Sequence, residues 1–154
     1  MQKAKVLILE DDEGLRTQYR WLLSSYDVHV AGTRAEANAI FAREMPLVAI
    51  ADLGLPPDPD GATEGLLAVG DFLGVSPLAK VIVVTGNDSR DHAVKAVASG
   101  AYDFLKKPVD PDLLKLTVER ALRLFDLEEE NRRLAQLSNP SPVAGIVGAS
   151  PQML

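Results

Sequence analysis

The chain has 154 residues, 47% of them hydrophobic, no cysteine and a formal net charge of -6, with an isoelectric point near 4.9. That is enough for one domain with a buried core plus a tail, and acidic enough to argue against non-specific binding to nucleic acid or an anionic membrane. Neither a disulfide nor a thiolate metal site can hold the fold, no segment approaches the roughly 20 apolar residues that span a bilayer, and the apolar run near the N-terminus is too short for a signal peptide, so a soluble cytoplasmic chain is expected.

The first apolar run, KVLIL (5–9), ends on three acids, Glu10, Asp11 and Asp12. Leu15, Tyr19, Leu22 and Leu23 then share a helical face, with Trp21 read as core or helix surface. VHVA (28–31) is the second strand, in which His29 reads as half-exposed. Thr33 and Glu36 form a capping box ahead of a helix carrying Ala37, Ile40 and Phe41. LVAIA (47–51) is the third strand and runs into Asp52. A third helix covers 66–73, KVIVV (80–84) leads into Thr85 and Gly86, and a fourth helix covers 93–98 with His92 on its polar side. Neither histidine is accompanied by a ligand pattern suggesting metal. DFLK (103–106) is a weaker fifth strand followed by Lys107 and Pro108, and Asp110 and Pro111 read as N-cap and first residue of a fifth helix.

Continuous rather than alternating hydrophobicity marks strands covered on both faces, hence a parallel sheet. Five alternations of strand and helix predict a doubly wound α/β fold with a functional site at the carboxyl ends of the strands. The fifth helix continues past the point where a compact domain would end it. Leu124, Leu127, Asn131 and Leu134 alternate at three and four residues, a short coiled-coil seam with one polar core position, so a homodimer through residues 113–137 is expected. The Pro/Ser stretch from 138 breaks the helix. Three segments are expected: a domain over 1–124, a coiled-coil helical linker over 125–137, and a linker over 138–154 that ends in the start of another domain.

The strand ends bring chemistry together. Acids follow strand 1, Asp52 ends strand 3, Thr85 ends strand 4 and Lys107 follows strand 5, all on one sheet edge. Crowded carboxylates repel, and a hard divalent cation with oxygen ligands, Mg²⁺ above all, is the least costly way to keep them ionised. A lysine and a hydroxyl added to that set can grip a phosphoryl group. Singly, each residue reads more blandly, the acids as loop solvation or caps, Thr85 as a turn residue and Lys107 as a solvated charge. Four strand ends converging is a different matter.

The stretches LILEDDEGLR, VAIADLGLP and VIVVTGNDSRDHAVKAVASGAYDFLKKPVD resemble, in order and spacing, the receiver domain of two-component response regulators. The resemblance implies a flavodoxin-like sheet of order 2-1-3-4-5. It makes Asp52 the phosphoacceptor, Asp11 and Asp12 the acidic Mg²⁺ pocket with Asp52 and the Gly54 carbonyl, Thr85 the switch hydroxyl, Lys107 the phosphate-binding lysine and Phe104 the aromatic switch. It also implies a cis Lys107–Pro108 peptide and a sensor histidine kinase as phosphodonor. The loop after Asp52 is longer and richer in proline and acid than the family's usual turn, and Gly54 and Asn87 stand where side chains tune phosphoryl lifetime.

The tail IVGASPQML resembles the junction into the AAA+ domain of sigma-54-dependent transcription activators, which implies DNA and sigma-54 RNA polymerase as partners of domains beyond Leu154, with no direct nucleic-acid contact by residues 1–154. Two other readings compete. An aspartate-nucleophile phosphatase of the haloacid dehalogenase class needs a general-acid aspartate two positions after Asp52, where this chain has Gly54. A pseudo-receiver serving as an interaction module would be expected to lack an acid or the lysine, and all are present. There is no P-loop motif, so ATP hydrolysis within these residues is not expected.

Overall fold

The computed structural model describes residues 3–54, 63–86 and 90–138. Strands β1 (Lys5–Leu9), β2 (Asp27–Ala31), β3 (Val48–Asp52), β4 (Lys80–Thr85) and β5 (Asp103–Lys106) alternate with helices α1 (Glu13–Leu22), α2 (Arg34–Glu44), α3 (Thr63–Val75), α4 (Arg90–Ala98) and α5 (Pro111–Ser138). All strand pairs are parallel and the order is β2-β1-β3-β4-β5. Expectation and structure agree on every element, and strand limits differ by at most one residue at either end. Asp52 and Thr85 belong to their strands because each still pairs across the sheet, Asp52 with Val84 and Thr85 with Lys106.

Period-two alternation sorts each central strand between two cores. Leu7, Leu9, Ala49, Ala51, Val81 and Val83 pack against Phe41 of α2, Ala68, Val69 and Phe72 of α3 and Ala96 of α4. Val6, Ile8, Val48, Ile50, Ile82 and Val84 pack against Tyr19 of α1 and Leu114, Val118 and Ala121 of α5. With helices on both faces, the central strands β1, β3 and β4 have no solvated side, which is why they read as nearly unbroken apolar runs. The rings of Phe41 and Phe72 stack at 4.7 Å and 7°, joining α2 to α3; truncating such a buried ring to alanine typically costs about 3–5 kcal/mol.

Helix starts follow the expected chemistry, with one shift. Thr33 caps α2, its hydroxyl accepting from the Glu36 amide at 3.2 Å. Glu36 reaches back one residue further than a capping box requires, to the Gly32 amide at 3.0 Å. Asp110 accepts from the Asp112 amide at 2.9 Å at the start of α5. Trp21 lies on the helix surface, 75% exposed. His29 is half-exposed, as expected, and its Nε2 lies 3.4 Å from Asp27 and 3.9 Å from Glu44. The two carboxylates come from a neighbouring residue of the same strand and from the end of α2, a pairing that sequence separation conceals.

The last α5 residue packed on the core is Leu122, though an ion pair between Lys80 and Glu128 at 2.5 Å extends the contact by about two turns. The expected seam is solvent-exposed at most of its positions. Leu127 and Leu134 are exposed, Asn131 is exposed and Leu124 is half-buried. No helix among the described residues is long and apolar enough to cross a membrane. The proline-rich loop after Gly54, Asn87 and the expected linker beyond Ser138 lie outside the described residues.

Candidate functional site at the carboxyl edge of the sheet

Backbone pairing assembles the site before any side chain is considered. The Glu10 amide donates to the Ala31 carbonyl at 3.0 Å, the Leu53 amide to Val84 at 3.0 Å and the Lys107 amide to Thr85 at 2.9 Å. The ladder therefore runs one residue past three strands and sets their next side chains over the sheet edge. The peptide between Lys107 and Pro108 is cis.

Lys107 is the centre of the resulting group. Its Nζ lies 3.1 Å from Asp52 Oδ2 and 3.4 Å from Glu10 Oε1. Asp52 is 4% exposed and Glu10 is 1% exposed, so both carboxyls face a site largely closed to water. The Gly54 amide donates to Asp52 Oδ1 at 3.0 Å, which orients that carboxyl and folds the chain after β3 back over it. Thr85, 3% exposed, closes the β4 end beside the Lys107 backbone. Gly86 leaves room: a Cβ there would begin 3.5 Å from Lys107 Cδ, an ordinary contact, so the lysine stem rather than a clash limits that side. Phe104 sits on β5 in register with Val83 and is 37% exposed.

The structure groups the acids differently from the expected pair Asp11 and Asp12. Carboxylate oxygens of Glu10, Asp11 and Asp52 lie within 4.8 Å of one another. Asp12 is turned away, its Oδ1 accepting from the Leu15 amide at 3.1 Å as the N-cap of α1. The distinction was available in the sequence, because the acid immediately before a helix is the capping position and the acid immediately after a strand continues the ladder. Glu10 is thus the residue that sequence reasoning passed over.

Burial makes this group costly. Loss of water, then the neighbouring Asp52 carboxylate, then a hydrogen bond shared with it, push the Glu10 carboxyl up to about 8, against the smaller opposing pull of the Asp12 amide and Lys107. For Lys107, burial is the largest influence and lowers its pKa, but Asp52 and Glu10 together outweigh it and leave the ammonium raised. One ammonium faces two buried carboxyls and a third at the rim, and Glu10 Oε1 is buried with no hydrogen-bond partner. A buried carboxylate oxygen that Lys107 approaches only at a long 3.4 Å, set among other hard oxygen donors, fits a divalent cation.

Residues 6–119 match the response regulator receiver domain family. The chain belongs to that family. It is 30% identical over 156 residues to the alginate biosynthesis transcriptional regulatory protein AlgB of Pseudomonas aeruginosa, covering 95% of this chain and 34% of that protein. It is 30% identical over 153 residues to the regulatory protein AtoC of Escherichia coli, covering 97% and 32%. Among solved structures, NtrX from Brucella abortus in complex with ADP aligns at a TM-score of 0.79 and 27% identity, over 86% of this chain and 30% of that one. The signal receiver domain of a Luxo repressor protein from Vibrio parahaemolyticus aligns at 0.73 and 30%, over 84% and 96%. The chain thus spans about a third of the curated relatives it matches, and the receiver accounts for most of it.

Proposed function

We propose that the chain is a phosphoaspartate switch that takes its phosphoryl group from a sensor histidine kinase, with Asp52 as the acceptor. The observation that carries this is the Lys107 ammonium held 3.1 Å from the buried Asp52, with Glu10 buried beside it and Asp11 at the exposed rim. One Asp52 oxygen attacks phosphorus, the bond from phosphorus to the donor's imidazole nitrogen breaks with its electron pair returning to the ring, and an acyl phosphate results. Lys107 is placed to pair with a phosphoryl oxygen in place of its present carboxylate partners, and the Thr85 hydroxyl to donate to another. Glu10, Asp11 and Asp52 would hold Mg²⁺, with the Gly54 carbonyl completing the set. Asp12 drops out of that set because it is committed to the helix cap. The ion, when bound, supplies charge neutralisation to oxygens that would otherwise repel the incoming phosphoryl group.

Readout runs through Thr85 and Phe104. Inward movement of the threonine frees space beside β5, and rotation of the half-exposed ring into it biases the surface of α4 and β5 between two states. The seam of α5, exposed at Leu127, Asn131 and Leu134, is covered by the same seam of a second copy, Asn131 facing its mate. Control of a transcription-activating output is supported by the likeness to AlgB, a transcriptional regulatory protein, most of whose length lies outside this alignment; its being sigma-54-dependent rests on the resemblance of the tail IVGASPQML. A cytoplasmic location goes with that role.

The test is labelling with a small phosphodonor. Wild-type protein should take up acid-labile phosphate in MgCl₂, and neither chelator-treated protein nor Asp52→Asn should do so. Equal labelling of the Asn variant would overturn the assignment.

A further inference from the structure

One side chain fastens the acidic loop to helix α1. Arg16, in the first turns of α1, reaches back so that its Nη1 donates to the Glu10 carbonyl at 2.9 Å and to the Asp11 carbonyl at 3.2 Å. Those carbonyls belong to the two peptide planes flanking the Cα of Asp11. Because each peptide is rigid, fixing both planes fixes the backbone angles of Asp11 and hence the direction in which its carboxylate leaves the chain. Asp11 is exposed, so packing does not do this in place of Arg16. Glu10 is steadied from the same side, its Oε2 accepting from the Asp12 amide at 3.2 Å.

A second observation comes from the neighbouring loop. A Cβ on Gly32 would stand 2.9 Å from Arg16 Nη1, closer than the two groups can approach. Gly32 does not lie in the left-handed region, so its backbone does not demand glycine there. The Gly32 amide is held by Glu36 at 3.0 Å, so the loop cannot retreat without giving up the α2 cap contact. The absent side chain is the space the guanidinium occupies. Among the described residues Arg16 forms no ion pair with any carboxylate of the site, so its part is geometric and not neutralising.

We propose that Arg16 is a positioning residue for the cation-binding acids, and that Gly32 is small so that the guanidinium can reach the Glu10 and Asp11 carbonyls. The proposal rests on the reading of Glu10, Asp11 and Asp52 as ligands of a divalent cation. Groups that orient metal ligands typically alter affinity by about 10- to 100-fold when removed.

The experiment is thermal unfolding of metal-free protein over a series of MgCl₂ concentrations. A cation that binds only the folded state raises the midpoint as its concentration passes the dissociation constant, so the midpoint without metal reports stability and the concentration dependence reports affinity. Arg16→Met and Gly32→Ala should each need about 10- to 100-fold more MgCl₂ for the same increment. The double variant should need no more than Arg16→Met alone, because Gly32→Ala acts only by displacing the guanidinium. Wild-type affinity in Arg16→Met, or a lowered metal-free midpoint with an unchanged Mg²⁺ increment, overturns the proposal while leaving the metal site standing. Additive losses in the double variant overturn the role of Gly32. A wild-type protein with no Mg²⁺ increment, matching Asp52→Asn, overturns the metal reading and the proposal with it.

Discussion

Gly65, in the first turn of α3, separates that helix from the strand that carries Asp52. A Cβ at this position would stand 2.4 Å from Leu53 Cα, 2.8 Å from the Asp52 carbonyl oxygen and 2.8 Å from Leu53 Cδ2. Two of those three atoms are backbone, so a rotamer change cannot relieve the overlap. Carbon atoms settle at about 3.5–4.0 Å, so Gly65→Ala must drive α3 and the end of β3 apart by about 1 Å. Ala68, Val69 and Phe72 of α3 are buried on the sheet, and a retreat of that size loosens them all. Overpacking of this kind costs about 1–3 kcal/mol, or roughly 3–15 °C in the unfolding midpoint for a domain of this size. The displaced Asp52 should also take up phosphoryl label more slowly. Gly70, on the same helix, is the control: a Cβ there meets nothing within 4 Å. Gly70→Ala should stabilise by about 0.5–1 kcal/mol through helix propensity alone. Calorimetric midpoints and labelling rates of the two variants are the assay. Gly65→Ala unfolding at or above the wild-type midpoint with a wild-type labelling rate would refute the close approach.

In metal-free protein the native state holds the Glu10 proton up to about pH 8 while the unfolded chain releases it near 4.5, so native protein binds more protons in that window and stability falls as pH rises through it. At about 1.4 kcal/mol per pH unit the ceiling is about 5 kcal/mol; Glu10→Gln or saturating MgCl₂ should flatten the slope seen in urea unfolding, and an unchanged slope in both would contradict the burial argument. Thr85→Ala should still accept phosphoryl label yet lose the phosphorylation-dependent change in NMR shifts at Phe104; a wild-type response would place the switch elsewhere. Residues 1–154 should sediment as a dimer and a chain ending at Leu122 as a monomer, whereas two monomers at micromolar concentration would overturn the dimer.

The sheet was legible because its three central strands, β1, β3 and β4, are buried on both faces and read as nearly continuous apolar runs, whereas the edge strands β2 and β5 are only partly buried and carried a weaker signal. Asp52, Thr85 and Lys107 were legible for a related reason: each is a polar residue at the end of such a run, and parallel pairing brings those ends together. The structure groups Glu10 and Asp11 where Asp11 and Asp12 were expected, because that expectation did not use position: Glu10 directly follows the strand and bonds to Ala31, while Asp12 directly precedes α1 and caps it at Leu15. Contacts such as Arg16 with the Glu10 and Asp11 carbonyls depend on rotamers and on the gap at Gly32. The approach of Glu44, at the end of α2, to His29 is likewise not legible, since sequence spacing does not encode proximity between elements.

The central claim, that Asp52 receives the phosphoryl group, is tested most directly by locating that group. Borohydride reduces an aspartyl phosphate to homoserine, so protein labelled by a phosphodonor in MgCl₂, reduced and digested, should show homoserine at position 52 alone by peptide mass mapping. Homoserine at Asp11 or Asp12, or phosphate recovered only on a hydroxyl or histidine residue while Asp52 stays intact, would contradict the account.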